Sequence, residues 1–135
     1  MKEHITHQDI KPFIPKDAKF LILGSLPSVK SREQGFYYAH PQNRFFKVLS
    51  SIFNTQEPAS IEDRKAFLKK YKIGLYDVVF ECDIDNSDDS TISNVKIINL
   101  FLTYNLCVCV LFKKAFLPTV EYTFSYISFS YFLEF

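Results

Sequence analysis

The residues best suited to chemistry lie between Gly24 and Phe46, in the run G-S-L-P-S-V-K-S-R-E-Q-G-F-Y-Y-A-H-P-Q-N-R-F-F. Ser25, Ser28 and Ser31 offer hydroxyls and backbone amides that can face a phosphate. Lys30, Arg32, Arg44 and Lys47 against Glu33 leave a local excess of positive charge. Phe36, Tyr37 and Tyr38 supply flat faces on which bases can stack. Cations interleaved with aromatics are what contact with a nucleic acid needs, but an aromatic-anchored loop without a ligand uses the same residue types, so both readings stand. Asn43 adds a side-chain amide at the end of the run. The same residue is also a good helix cap. His40 can fix the loop ahead of Pro41.

These side chains need a scaffold. Residues 19–24 (K-F-L-I-L-G) form a short apolar run stopped by glycine, which reads as a buried strand. A loop leaving the C-terminal end of such a strand marks the usual ligand crevice of an α/β sheet, and Gly24 lets backbone approach a ligand closely. Residues 1–18 read as an irregular lead-in and residues 25–41 as a long loop. Residues 43–53 carry Phe45, Phe46, Val48, Leu49, Ile52 and Phe53 at helical spacing. Residues 60–72 give a second helix, with Ser60 and Asp63 spaced as a capping box. Residues 73–80 read as a second buried strand, 81–90 as an acidic turn, 91–104 as a helix and 105–112 as a third strand. In residues 120–126 polar and apolar side chains alternate, which allows a strand. Strands alternating with helices predict a three-layer α/β/α sandwich around a central parallel sheet, in a single domain over residues 1–135.

Composition narrows the classes. The 135 residues are 47% hydrophobic and 23% charged, which excludes wholesale disorder. Sixteen Lys and Arg against fifteen Asp and Glu give +1, so no global basic field exists and any DNA partner must be held by a local patch. Cys82, Cys107 and Cys109 match no metal-ligand spacing and are expected as reduced thiols, so neither a metal nor a cofactor is expected. No apolar leader and no membrane span is expected; a cytoplasmic monomer at the nucleoid is.

The segment resembles the hypoxanthine (deoxyinosine) DNA glycosylases, a branch of the uracil-DNA glycosylase superfamily. That family reads roughly G-S-F-P-[GS]-x-x-S, a spacer, then Y-Y-x-H-P-x-N-x-F-W. Gly24, Ser25, Pro27, Ser28, Ser31, Tyr37, Tyr38, His40, Pro41, Asn43 and Phe45 match it, while Leu26 replaces Phe and Phe46 replaces Trp. The segment G-L-Y-D-V-V is similar to the family's second strand, and Ser87, Asp89 and Ile92 fit an S-x-D-x-x-I element. The resemblance covers about residues 10–100. It implies monofunctional excision of a deaminated base from DNA by hydrolysis of the N-glycosidic bond, with Asn43 as the catalytic, water-positioning residue. It further implies a base pocket of Gly24, Ser25, Tyr37, Tyr38 and His40, and DNA-backbone contacts from Ser28, Lys30, Ser31, Arg32 and Arg44. No lysine is marked as a Schiff-base nucleophile, so lyase activity is not expected. Beside these roles stand structural ones: a packing role for either tyrosine, a buried hydrogen bond for Asp77, and a solvated acidic loop for Asp89.

The match ends before the C-terminus. The branch closes its pocket with a segment like L-P-S-T-S-P-A-N, of which only Leu117, Pro118 and Thr119 are present. Its N-G-K-K-A-like turn is reduced to L-F-K-K-A-F at residues 111–116. Residues 113–135 are therefore expected to be divergent or truncated, with one wall of the cleft in doubt. An impaired relic of the fold and a nucleotide-binding α/β module are the alternatives to an active glycosylase.

Overall fold

A computed structural model describes residues 1–7, 10–86, 88–98, 107–110 and 129–132. Four strands form a wholly parallel sheet in the order β3-β2-β6-β7: β2 (Phe20–Gly24), β3 (Ile73–Asp77), β6 (Cys107–Val110) and β7 (Phe129–Phe132). The predicted strands at 19–24, 73–80 and 105–112 thus share one sheet, and β7 supplies a fourth strand from the tail. The alternating segment 120–126 lies outside the described residues, as do Ser87 and the C-terminal segments 111–116 and 117–119. Helices α2 (Phe45–Ile52) and α3 (Ile61–Lys70) lie where their periodicity places them. Ser60 closes the expected capping box: its hydroxyl accepts from the Asp63 amide at 3.0 Å, and the Asp63 carboxylate accepts from the Ser60 amide at 3.1 Å.

Several expectations are corrected. Residues 1–18 are not wholly irregular, because β1 (Lys2–Thr6) pairs antiparallel with β4 (Val79–Asp85). The predicted strand at 73–80 is two strands in two sheets. The chain leaves the parallel sheet at Val78, where Val78 N–H donates to the Gly24 carbonyl and Val79 N–H to the Ser25 carbonyl. Most of the acidic stretch 81–90 and the first part of the predicted helix, residues 91–97, instead build a hairpin, β4 with β5 (Asp88–Ile97), turned at Asn86 with φ 50°; residues 99–104 of that predicted helix lie outside the described residues. Ile92 and Val95 stand three apart, as on a helix face, but Thr91, Ile92, Val95 and Ile97 are β-branched and the strand pairing prevails. The long loop 25–41 contains a short helix, α1 (Val29–Gln34), capped by Ser28 and stopped at Gly35 with φ 66°.

Two apolar clusters hold these layers. The larger joins Ile10, Phe36, Tyr37, Phe45, Phe46 and Leu68 to Ile73 and Leu75 of β3. The smaller lies against the β1-β4-β5 sheet and contains Ile5, Val79, Cys82 and Ile84, with Leu26, Ile92 and Val95 packed on it. Leu26, one of the two departures from the family pattern, therefore has a packing role. Phe46, the other, is 2% exposed with the Arg64 guanidinium 4.9 Å from its ring centre.

A buried polar contact joins the two sheets. His7, just after β1, places Nε2 3.0 Å from Asp77 Oδ2 at the end of β3, and both side chains are almost wholly buried. His7 Nδ1 lies 2.9 Å from the Ile10 carbonyl, which can only accept, so Nδ1 carries a proton. Nε2 faces a carboxylate oxygen, and a proton between the two atoms is needed to avoid opposing lone pairs. Burial lowers the His7 pKa, but the hydrogen bonds to Asp77 and Ile10 and the Asp77 charge outweigh it, leaving a net rise above 6.5.

Two outcomes follow from this architecture. Ser60→Ala should lower the unfolding free energy by about 1 kcal/mol, read from the urea midpoint at unchanged m-value. His7 stabilises the fold in its protonated form, so its contribution is complete below the unfolded-state value near 6.5 and is lost as pH rises through the higher native value. The Tm gap between the wild type and His7→Gln should therefore narrow as pH climbs past 6.5, and a gap independent of pH would show that no charged pair forms.

Candidate active site

The C-terminal ends of β2 and β3 open into a cleft of about 700 Å³, within the range of small-ligand pockets. The loop after β2 supplies most of its lining. Gly24 and Ser25 lie at its base, with Leu26 and Pro27 beside them. Ser28, Ser31 and Arg32 come from α1 and its cap, and Tyr37, Tyr38 and His40 from the following turn. Asn43, Arg44, Phe45 and Val48 line the side formed by the start of α2. Of the eleven site residues that the resemblance implies, ten line the cleft and Lys30 does not; its ammonium lies 2.6 Å from Glu33.

The local geometry assigns physical work to each. Asn43, one residue before the N-cap Arg44, accepts from Phe45 N–H at 2.8 Å through Oδ1, an Asx-type bond that satisfies the first amide of α2. A carbonyl oxygen has two lone pairs, so this bond leaves one lone pair and the NH2 group for the cleft. The backbone is tied as well, with Asn43 N–H donating to the His40 carbonyl at 2.9 Å. His40 Nδ1 accepts from Gln42 N–H at 3.1 Å, which puts the proton of a neutral ring on Nε2. Tyr37 is 2% exposed and its hydroxyl donates to the Lys11 carbonyl at 3.0 Å, so its ring is a wall of the core as much as of the cleft. Tyr38 stacks on Phe45 with ring centres 3.8 Å apart, and its backbone is held at φ 54°. A left-handed conformation is costly for an aromatic residue and persists only where the surroundings impose it.

Ser31 is buried and joins three groups: Ser28 Oγ donates to its hydroxyl at 3.1 Å, its amide donates back to Ser28 Oγ, and Ala39 N–H lies 3.4 Å from its Oγ. These two serines hold the loop together. Arg32 is bound by Glu3 of β1 at 2.7 Å, whereas Arg44 has no ion-pair partner among the described residues. The Arg32 hydrogen bond and charge hold the Glu3 carboxyl below its ordinary range.

Sequence reasoning missed part of this site. Ile5 of β1 and Ile84 of β4 form an apolar wall, because the antiparallel sheet stands beside the loop. Asp77 lies in the lining as well, 3% exposed, and its structural bond to His7 does not remove it from the cleft. The parallel register sets Asp77 beside Gly24, and a Cβ on Gly24 would collide with Asp77 Oδ1. That glycine therefore makes room for a carboxylate. Among the described residues, no group of three or more His, Cys, Asp or Glu could hold a metal ion, and no helix is long and apolar enough to cross a membrane.

Comparison with known proteins agrees with this arrangement. Residues 11–117 match the model of the uracil DNA glycosylase superfamily. A hypoxanthine DNA glycosylase of Methanosarcina barkeri is 35% identical over 91 residues, covering 67% of this chain and 58% of the relative. One from Methanosarcina acetivorans is 33% identical over 85 residues, covering 62% of this chain and 54% of that protein. The chain thus spans little more than half the length of these curated relatives. A Methanosarcina acetivorans protein solved by solution NMR as a candidate uracil DNA glycosylase superposes with a TM-score of 0.68 at 26% identity, covering 83% of this chain and 72% of that one. A parallel sheet whose β2 end opens into a loop-lined cleft, and a family match over most of the sequence, lead to one conclusion: the chain belongs to the uracil DNA glycosylase superfamily.

Proposed function

We propose that the protein is a monofunctional DNA glycosylase that releases a deaminated base, hypoxanthine, from DNA. The observation that carries this reading is the meeting of Asn43, Tyr38, His40 and Gly24 around one cleft large enough for an everted base. In the reaction the water oxygen bonds to C1′ as the bond from C1′ to the base nitrogen breaks. The bonding electron pair leaves with the base, and the water's proton goes to the base or to solvent. The free lone pair of Asn43 Oδ1 accepts a hydrogen bond from that water and aims it at C1′. The N–H on His40 Nε2 donates to the departing base or to a flanking phosphate. Arg44 at the mouth of the cleft, with Arg32 and Lys30, holds the DNA backbone, while Ser28 and Ser31 keep the loop in shape behind them. The curated relatives at 33–35% identity carry the name hypoxanthine DNA glycosylase, which supports the same substrate class.

The bond from Phe45 N–H to Asn43 Oδ1 favours a second reading, a fold that binds DNA without cleaving it. One assay separates the two. A duplex with a single deoxyinosine is incubated with the protein and treated with alkali to cut any abasic site. Strand cleavage that depends on both protein and alkali is expected. Asn43→Ala should lower single-turnover release by about 100-fold or more. Full activity in that variant would remove Asn43 from the mechanism, and salt-dependent binding without release would select the silent fold.

A further inference from the structure

A cation outside the cleft touches both ends of an aromatic stack that helps to line it. Arg64 sits on α3 and is not part of the cleft lining. Its Nη1 reaches the Tyr38 carbonyl at 3.5 Å, a long hydrogen bond, and its guanidinium lies over the Phe46 ring, 4.9 Å from the ring centre. The rings close the circuit. Tyr38 stacks on Phe45 with centres 3.8 Å apart, and Phe45 meets Phe46 edge to face at 5.1 Å. Arg64 therefore connects the backbone of Tyr38 to the far end of the stack that begins with the Tyr38 ring.

Two features separate this contact from ordinary packing. Tyr38 is held at φ 54°, a conformation that its surroundings must impose, and Arg64 grips the carbonyl of that same residue. Arg64 also keeps its Nε buried with no hydrogen-bond partner among the described residues. An unmet buried donor costs stability, so stability alone does not account for a guanidinium at this place. The stack leads to the proposed chemistry. The Phe45 amide donates to Asn43 Oδ1 at 2.8 Å, and Asn43 N–H donates to the His40 carbonyl, so a shift of the Tyr38–Phe45 pair shifts the Asn43 amide with it. Aiming a water at C1′ tolerates little error: a misplacement of about 1 Å can cost about 100-fold in rate.

We propose that Arg64 is a positioning residue for base excision: from outside the cleft it locks the turn at Tyr38 and, through Phe46 and Phe45, the aim of the Asn43 amide. The role calls for arginine in particular. A planar guanidinium covers a ring with its face while its edge donates to a carbonyl, whereas the point charge of a lysine ammonium has no such face.

This inference rests on the glycosylase reading, and its test separates the two. Amide hydrogen exchange is followed by NMR in the full chain as wild type, Arg64→Met and Arg64→Lys, alongside single-turnover release from the deoxyinosine duplex and affinity for that duplex. In Arg64→Met the amides of Ala39, Asn43 and Phe45 should exchange about tenfold faster or more, while those of β2 and β3 keep their wild-type rates. Release should fall about tenfold or more, with duplex affinity within about threefold of the wild type. Arg64→Lys keeps the charge and loses the planar fork, so it should behave like Arg64→Met. If the wild type releases no base but these loop amides loosen selectively in both variants, the lock stands and excision falls. Loop amides at wild-type rates in Arg64→Met, or exchange raised evenly across the fold, overturn the proposal. So do unchanged release from a loosened loop, a loss carried wholly by duplex affinity, and an Arg64→Lys variant that matches the wild type.

Discussion

The site is organised around the close approach of the Asp77 carboxylate to the backbone of Gly24, in the space where any other residue would place a Cβ. The parallel register makes these two residues partners at the ends of adjacent strands, so the contact follows from how β2 and β3 pair. A carboxylate buried there needs compensation, and His7 supplies it from the opposite sheet. Losing either partner would leave an uncompensated polar group in the interior. The contact thus ties the residue after the N-terminal strand to the lining of the cleft.

The second sheet bears on function for the same reason. β1, β4 and β5 bring Ile5 and Ile84 to the cleft, and Glu3 of β1 to Arg32 of α1. An apolar wall lowers the local dielectric around whatever base enters, which strengthens every hydrogen bond made to it. The expectation that one wall would be in doubt concerned the C-terminal segment, which lies outside the described residues. What the described residues add is a wall from the other end of the chain.

Much of this was legible in the sequence where the signal was local. The apolar run of β2, the amphipathic face of α2 and the Ser60–Asp63 capping box each carry their own signature within a few residues. The run from Gly24 to Arg44 likewise carries ten of the cleft residues, because they follow one another along a single stretch of chain. What was not legible depended on distant pairing. Lys2–Thr6 has a single buried residue and becomes a strand only against residues about 80 positions away. The β4-β5 hairpin was masked by acidic residues that read as a turn and by a three-residue apolar spacing that mimics a helix. The Ser28 cap and Gly35 stop of α1 are present in the sequence, but the stretch between them has no apolar periodicity to mark a helix. Asp77 was recognised as needing a buried partner; that it also faces the cleft depends on strand register, which no local pattern encodes.

The most direct test of the account is a crystal structure of the protein on a duplex carrying 2′-fluoro-2′-deoxyinosine, whose fluorine slows glycosidic cleavage. The account places the base in the cleft against Gly24, with a water between Asn43 and C1′. A base left stacked in the duplex, or an everted base lying away from Asn43, would contradict it.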